Sequence, residues 1–148
     1  MATFVLYDAS VSVAGTDLSD HVRSVTVDAG QAMQDDTAMG DTFQSNAAGL
    51  ATWSVTCEFL QDFASSKVDA VIAPLLGIGN TAALVIKPAS GSVSSTNPSY
   101  SGTGILESYN PVSGSVGDQS MATATFQSAS ADRSRAGCVR GRLTRQEN

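Results

Sequence analysis

The residues of this chain that could do chemistry are few, and they do not converge. There is a single histidine, His21, placed after Ser19-Asp20 in a stretch that reads as a turn. No second histidine and no thiolate pair accompanies it, so a metal would lack a ligand set, and a satisfied or solvated turn residue is expected rather than a catalytic base. Cys57 and Cys138 are the only cysteines and have no CxxC spacing, which argues against a zinc site or a disulfide framework. Asp35, Asp36 and Asp41 suggest a calcium loop, but the ordered donors, central glycine and closing glutamate of such a loop are missing. Gly77-Ile78-Gly79 lacks the further residues of a phosphate-cradling motif and reads as a helix stop. No GxSxG elbow gives any serine a nucleophile context. Asn97-Pro98-Ser99 has proline in the position that excludes glycosylation. A catalytic domain usually shows at least one convergent set of such groups. The expectation is a non-enzyme with no catalytic residue, metal or cofactor.

The charge distribution narrows the choice further. Of 148 residues, 42% are hydrophobic and only 15% charged, against the ~25% charged that is usual in soluble domains. Ser, Thr, Gly and Ala make up the difference. A surface this poor in charge suits contact with other copies better than complete exposure to water. Residues 1–131 carry twelve acids against Arg23, Lys67 and Lys87, a net of −9. Residues 132–148 carry five arginines against Asp132 and Glu147, a net of +3. An acidic body is a poor grip for nucleic acid, which is held by lysine and arginine through counterion release. The arginine-rich end reads as a solvated extension, or as a contact for the acidic body of a neighbouring copy. The N-terminus has no basic leader region, and its apolar run Phe4–Tyr7 is too short for a signal peptide or a membrane span. A soluble protein made in the cytoplasm, with no membrane partner, is expected.

Short strands dominate the elements that hold these residues. Val11 and Val13 alternate with serines, and Val25 and Val27 alternate with Ser24, Thr26 and Asp28. The clearest strand places Trp53, Val55, Cys57 and Phe59 on one face and Ser54, Thr56 and Glu58 on the other. Further strands are expected over 81–87, 100–109 and 119–127, with a turn at 110–117. Ser65-Ser66 looks like a cap for a short helix beginning near Lys67, which Pro74 should end near 73–76. The fold class expected is mainly β: a sandwich or barrel of six to seven strands with one flanking helix. The β domain spans 1–128, and 129–148 reads as a flexible basic extension.

One stretch does not fit a passive frame. From Asp35 to Gly49, small and polar residues run without a hydrophobic period, interrupted only by Met39 and Phe43, within a loop expected over 31–49. Connections in compact domains are mostly ~4–6 residues, and much longer ones are usually functional. The segment reads as a long inter-strand loop gripping a neighbour, with Asp35, Asp36, Met39, Asp41, Phe43 and Asn46 as its contact residues.

Three segments, GTDLSDHVRSVTV (15–27), DDTAMGDTFQSNAAGLATWSVTCEFLQDFASSKVDAVIAPLLG (35–77) and NPSYSGTGILESYNPVSGSVGD (97–118), resemble the major tail tube proteins of long-tailed, non-contractile bacteriophages. The resemblance covers most of 10–127, and the arginine-rich end has no counterpart in it. It implies a structural virion protein of the tail. Six copies would form a ring, and rings would stack into a hollow tube that carries DNA from the capsid. It also implies tape-measure, tail terminator and distal tail proteins as partners, and DNA that passes without specific binding. The lumen would then be lined by body acids, of which Asp28, Glu58, Asp62, Glu107 and Asp118 are the candidates. Two other readings stay open. One is a head-decoration or head–tail connector protein. The other is a β-sandwich adhesin or carbohydrate-binding module, with Trp53 and the tyrosines stacking on sugar rings.

Overall fold

The computed structural model describes residues 3–129 and 144–146. The strands are β1 (Ser10–Val13), β2 (Thr16–Asp17), β3 (Val22–Asp35), β4 (Asn46–Leu60), β5 (Ala82–Lys87), β6 (Ser99–Ser113), β7 (Met121–Ser128) and β8 (Thr144–Gln146). One helix, α1 (Val68–Ile72), runs into a 3-10 turn at Ala73–Leu75 that contains Pro74. All strand pairs are antiparallel and follow the order β2-β1-β5-β6-β7-β4-β3, with β8 pairing on β6. The mainly β expectation holds. Among the described residues the single sheet does not close into a barrel, and it ends at β2 and β3.

The alternating pattern of β4 does what its sequence demands. Trp53, Val55, Cys57 and Phe59 are all buried, while Ser54, Thr56 and Glu58 face outward. β7 adds Ala122, Ala124 and Phe126, β5 adds Ala82, Leu84 and Ile86, and β1 adds Val11 and Val13, all in one core. The sheet is therefore strongly coiled: strands far apart in its order share one apolar interior, which α1 closes with Val68 and Ile72. Burial pushes the Cys57 thiol up to about 12, which makes it an inert core residue.

Four local expectations are revised. The presumed loop 31–49 is mostly strand: β3 runs to Asp35, β4 starts at Asn46, and only 36–45 connect them. The presumed turn at 110–117 begins later, because β6 continues to Ser113 through irregularities that skip Glu107 and Pro111-Val112. Proline fits a bulge, where no ladder donor is needed. Ser66 does not cap α1. It stands at φ 62°, and Lys67 precedes the helix without a side-chain cap. Finally, within the segment read as an extension, Thr144–Gln146 pair with Ser99–Ser101 of β6. The rest of that extension, from 130 to 143 and 147–148, lies outside the described residues.

Candidate functional site: a projecting arm and a polar face

β4 pairs with β7 only over Ser54–Leu60, but with β3 from Phe59 to Asn46. The ends of β3 and β4 thus leave the sheet as a two-stranded ribbon. No third strand among the described residues touches it, and its side chains are almost all exposed. A register shift between Gln31 and Met33 bulges this ribbon opposite Gly49. A Cβ on Gly49 would lie 3.0 Å from the Ala32 carbonyl oxygen, so the close approach favours glycine. Gln31 Nε2 donates to the Gly49 carbonyl at 3.1 Å and braces the bulge.

The arm's tip is held by its own polar groups. Asp35 Oδ1 accepts from the Thr37 amide at 2.9 Å, and Asp41 Oδ2 accepts from the Ala38 amide at 2.8 Å. Thr37 Oγ1 accepts from the Ser45 amide at 2.9 Å, and the Asp36 amide donates to the Ser45 carbonyl at 3.1 Å. Such short-range aspartate and threonine bonds set turns without any core. The hydrogen bonds from Thr37 hold the Asp35 carboxyl below its usual range. These bonds leave Met39 and Phe43 pointing into water, 106% and 86% exposed. All six loop residues named from the sequence are thus brought together on this one projection.

The second feature is a face. Cross-strand partners place Asp28, Ser54, Gln127 and Ile105 in one row, and Thr26, Thr56, Thr125 and Ser108 in the next. Ser24, Glu58, Thr123 and Asn110 make a third. Glu107 joins the same face, where its Oε2 accepts from Gln127 Nε2 at 2.6 Å. The outer side of the block β3-β4-β7-β6 is therefore Ser/Thr-rich and carries three of the five candidate lumen acids. Arg23 sits at its lower end, 3.9 Å from the Met121 sulfur.

The other two acids lie elsewhere. Asp62 follows β4, where its Oδ2 is 3.0 Å from His21 Nε2 and its Oδ1 accepts from the Ala64 amide. Asp118 belongs to the β6–β7 turn and accepts from the Ser115 amide at 3.3 Å. His21 is a structural tie: its Nδ1 lies 2.7 Å from Asp20 Oδ1, and Lys67 Nζ donates to Asp20 Oδ2 at 3.1 Å. Among the described residues no group of three or more His, Cys, Asp or Glu could hold a metal.

Sequence reading missed the seat of Trp53. A Cβ on Gly102 would fall 2.7 Å from Trp53 Cζ2, and one on Gly104 3.2 Å from Cη2. The indole packs closely against two glycines that share one face of β6, and it is part of the core at 5% exposure. The readable signal was the Gly102-Thr103-Gly104 spacing inside a strand, together with a lone tryptophan that needs a flat surface.

No family model matches this chain, and no curated protein matches it in sequence. Solved structures do match in shape. One is a chain in the virion of a native gene transfer agent particle, with a TM-score of 0.63 at 14% identity, covering 85% of each chain. Another is a chain in the tail of an empty gene transfer agent particle, a tail of C6 symmetry. Its TM-score is 0.61 at 14% identity, covering 75% of this chain and 79% of that one. This chain shares the fold of those virion and tail chains, in line with the resemblance carried by its motifs.

Proposed function

We propose that this chain is a non-enzymatic tail protein of a virion, whose copies form six-membered rings that stack into a hollow tube for DNA. The observation that carries this reading is the arm. A two-stranded ribbon is at best marginally stable in water. This one extends β3 and β4 well beyond β7 and ends in two large apolar side chains exposed to solvent. A neighbouring ring supplies the cover it lacks.

Lateral closure follows from the sheet edges. Among the described residues β3 pairs only with β4, so its outer side is a free edge there along Val22–Asp35. β6 is bonded to β5 only over Tyr100–Gly104, which leaves its 105–113 stretch open on that side among the described residues. Long unpaired edges invite another strand. The two edges run in opposite directions, so β3 of one copy and β6 of the next form an antiparallel pair when copies are related by rotation. The C6 symmetry of the structurally similar tail supports six copies per turn.

In that ring the Ser/Thr-rich face with Asp28, Glu58 and Glu107 becomes the lumen. Apart from Arg23 at its lower end, this face offers a duplex acids and hydroxyls rather than a cationic hold, so DNA slides rather than binds. The tape-measure protein would occupy the same lumen, and terminator and distal tail proteins would meet the tube's ends. Synthesis in the host cytoplasm precedes incorporation into the virion. The carbohydrate reading loses its platform, because Trp53 is buried against β6. Replacing 31–49 by a Gly-Ser turn tests the proposal. Sedimentation should show a folded monomer with no tubes, whereas normal tubes from this variant would sink the idea.

A further inference from the structure

The coiling of the sheet leaves an open apolar groove of about 350 Å³ where the inner face of β3 looks across at β5 and β6. Leu6, Val25, Val27, Ile86 and Tyr100 line it, and Lys87 is its one charged lining residue among those described. Lys87 Nζ donates to the carbonyls of Ser90 and Gly91, at 3.5 and 3.3 Å, and makes no ion pair among the described residues. The groove thus offers an apolar slot with one cation at its side.

The arm tip has the complementary chemistry. Phe43 is exposed, Asp41 stands two residues before it, and Asp36 adds a carboxylate with no partner among the described residues. The tip of the same copy cannot fill the groove. From Ala29, the last groove residue of β3, to Asp35 the extended strand covers ~20 Å at ~3.3 Å per residue, which puts the tip well beyond the groove.

We propose that this groove receives the arm tip of a second copy of the chain, with Phe43 between Val27 and Ile86 and Asp41 at Lys87. The inference rests on the stacking reading and gives the arm its receptor. Tip and groove lie on different parts of the subunit, so the contact is head-to-tail. It repeats as an open filament instead of closing into a dimer. Burial of an aromatic anchor supplies the affinity, and the charge pair sets the register.

The test uses full-length chains in a Cys138→Ser background, where Cys57 is buried. Oxidised Phe43→Cys/Val27→Cys assemblies should give a ladder of covalent multimers on a non-reducing gel. Phe43→Cys/Val116→Cys, which targets the turn at the opposite end of the sheet, should stay monomeric on the gel. Charge reversal provides a second reading. Lys87→Glu and Asp41→Lys should each raise the concentration needed for assembly roughly tenfold, and the double variant should restore it. A ladder from the Val116 pair alone, or single-variant losses with no rescue, would overturn the groove as receptor while leaving stacking by the arm intact. Failure of the wild-type chain to assemble at any concentration would overturn the stacking reading and this inference with it.

Discussion

β4 contains two halves with opposite fates. From Trp53 to Leu60 it lies between β3 and β7, and every second side chain is buried. From Asn46 to Thr52 it keeps β3 as partner but loses β7, and its side chains are nearly all in water. Pairing with β3 is common to both halves, so pairing alone does not decide what the residues do. The third strand and the core behind it do. The inner half stabilises the subunit. The outer half adds almost nothing to the monomer's core, and in the proposed stacking it meets a neighbouring copy.

That contrast predicts a large separation between stability and assembly. Trp53→Ala should destabilise the subunit by about 3–5 kcal/mol, as expected for a buried large aromatic, and urea unfolding of the monomer would measure it. Loss of assembly without loss of stability would move Trp53 from the core half to the contact half. Gly102→Ala should cost about 1–3 kcal/mol through overpacking against the indole. Its near-ultraviolet circular dichroism should change, because Trp53 must shift. An unchanged spectrum and unchanged stability would show that the indole is not seated on β6.

A thiol experiment sharpens the comparison. In a Cys138→Ser background, Cys57 should react with a maleimide only as fast as the chain unfolds globally, since burial holds its pKa near 12. A cysteine placed at Phe43 should react at the rate of a free thiol. Fast native-state labelling of Cys57 would mean that the inner half opens locally, which the core assignment forbids.

The smallest effect concerns acid. Asp20 is held below its usual range, first by the His21 hydrogen bond and then by Lys67. Asp62 is also lowered, first by the Ala64 amide and then by His21. A folded-state pKa below the unfolded one gives stability that is present at neutral pH. It is lost as pH falls from the unfolded value through the folded one. Both carboxylates are solvent-accessible, so the loss should be modest. Asp20→Asn should flatten the acid limb of the stability curve, and a limb as steep as wild type would remove this pair from the account.

How much was legible follows the same divide. The Trp53–Phe59 alternation, the Ala122–Phe126 alternation and the α1 spacing were readable, because burial on one side selects residue type. The arm read as a loop over 31–49, because Gln34, Ala47, Ala48 and their neighbours face water and nothing selects an alternation. Its strand character comes from the β3 ladder, a non-local property. β6 past Tyr109 was hidden by Pro111, whose bulge imitates a turn. The polar face was half readable: Asp28, Glu58 and Glu107 share it, but only register could separate them from Asp62 and Asp118. The seat of Trp53 was not directly readable, because Gly102 and Gly104 carry no side chain to mark the face on which the indole packs.

The central claim is that the unpaired edges and the arm build a tube whose lumen is the polar face. Helical reconstruction of the assembled, purified chain by electron cryomicroscopy tests it most directly. The expected map shows six copies per ring, β3 of one copy beside β6 of the next, arms bridging consecutive rings, and Asp28, Glu58 and Glu107 facing the channel. A channel lined by the arginines and lysines, or arms lying free of the adjacent ring, would contradict it.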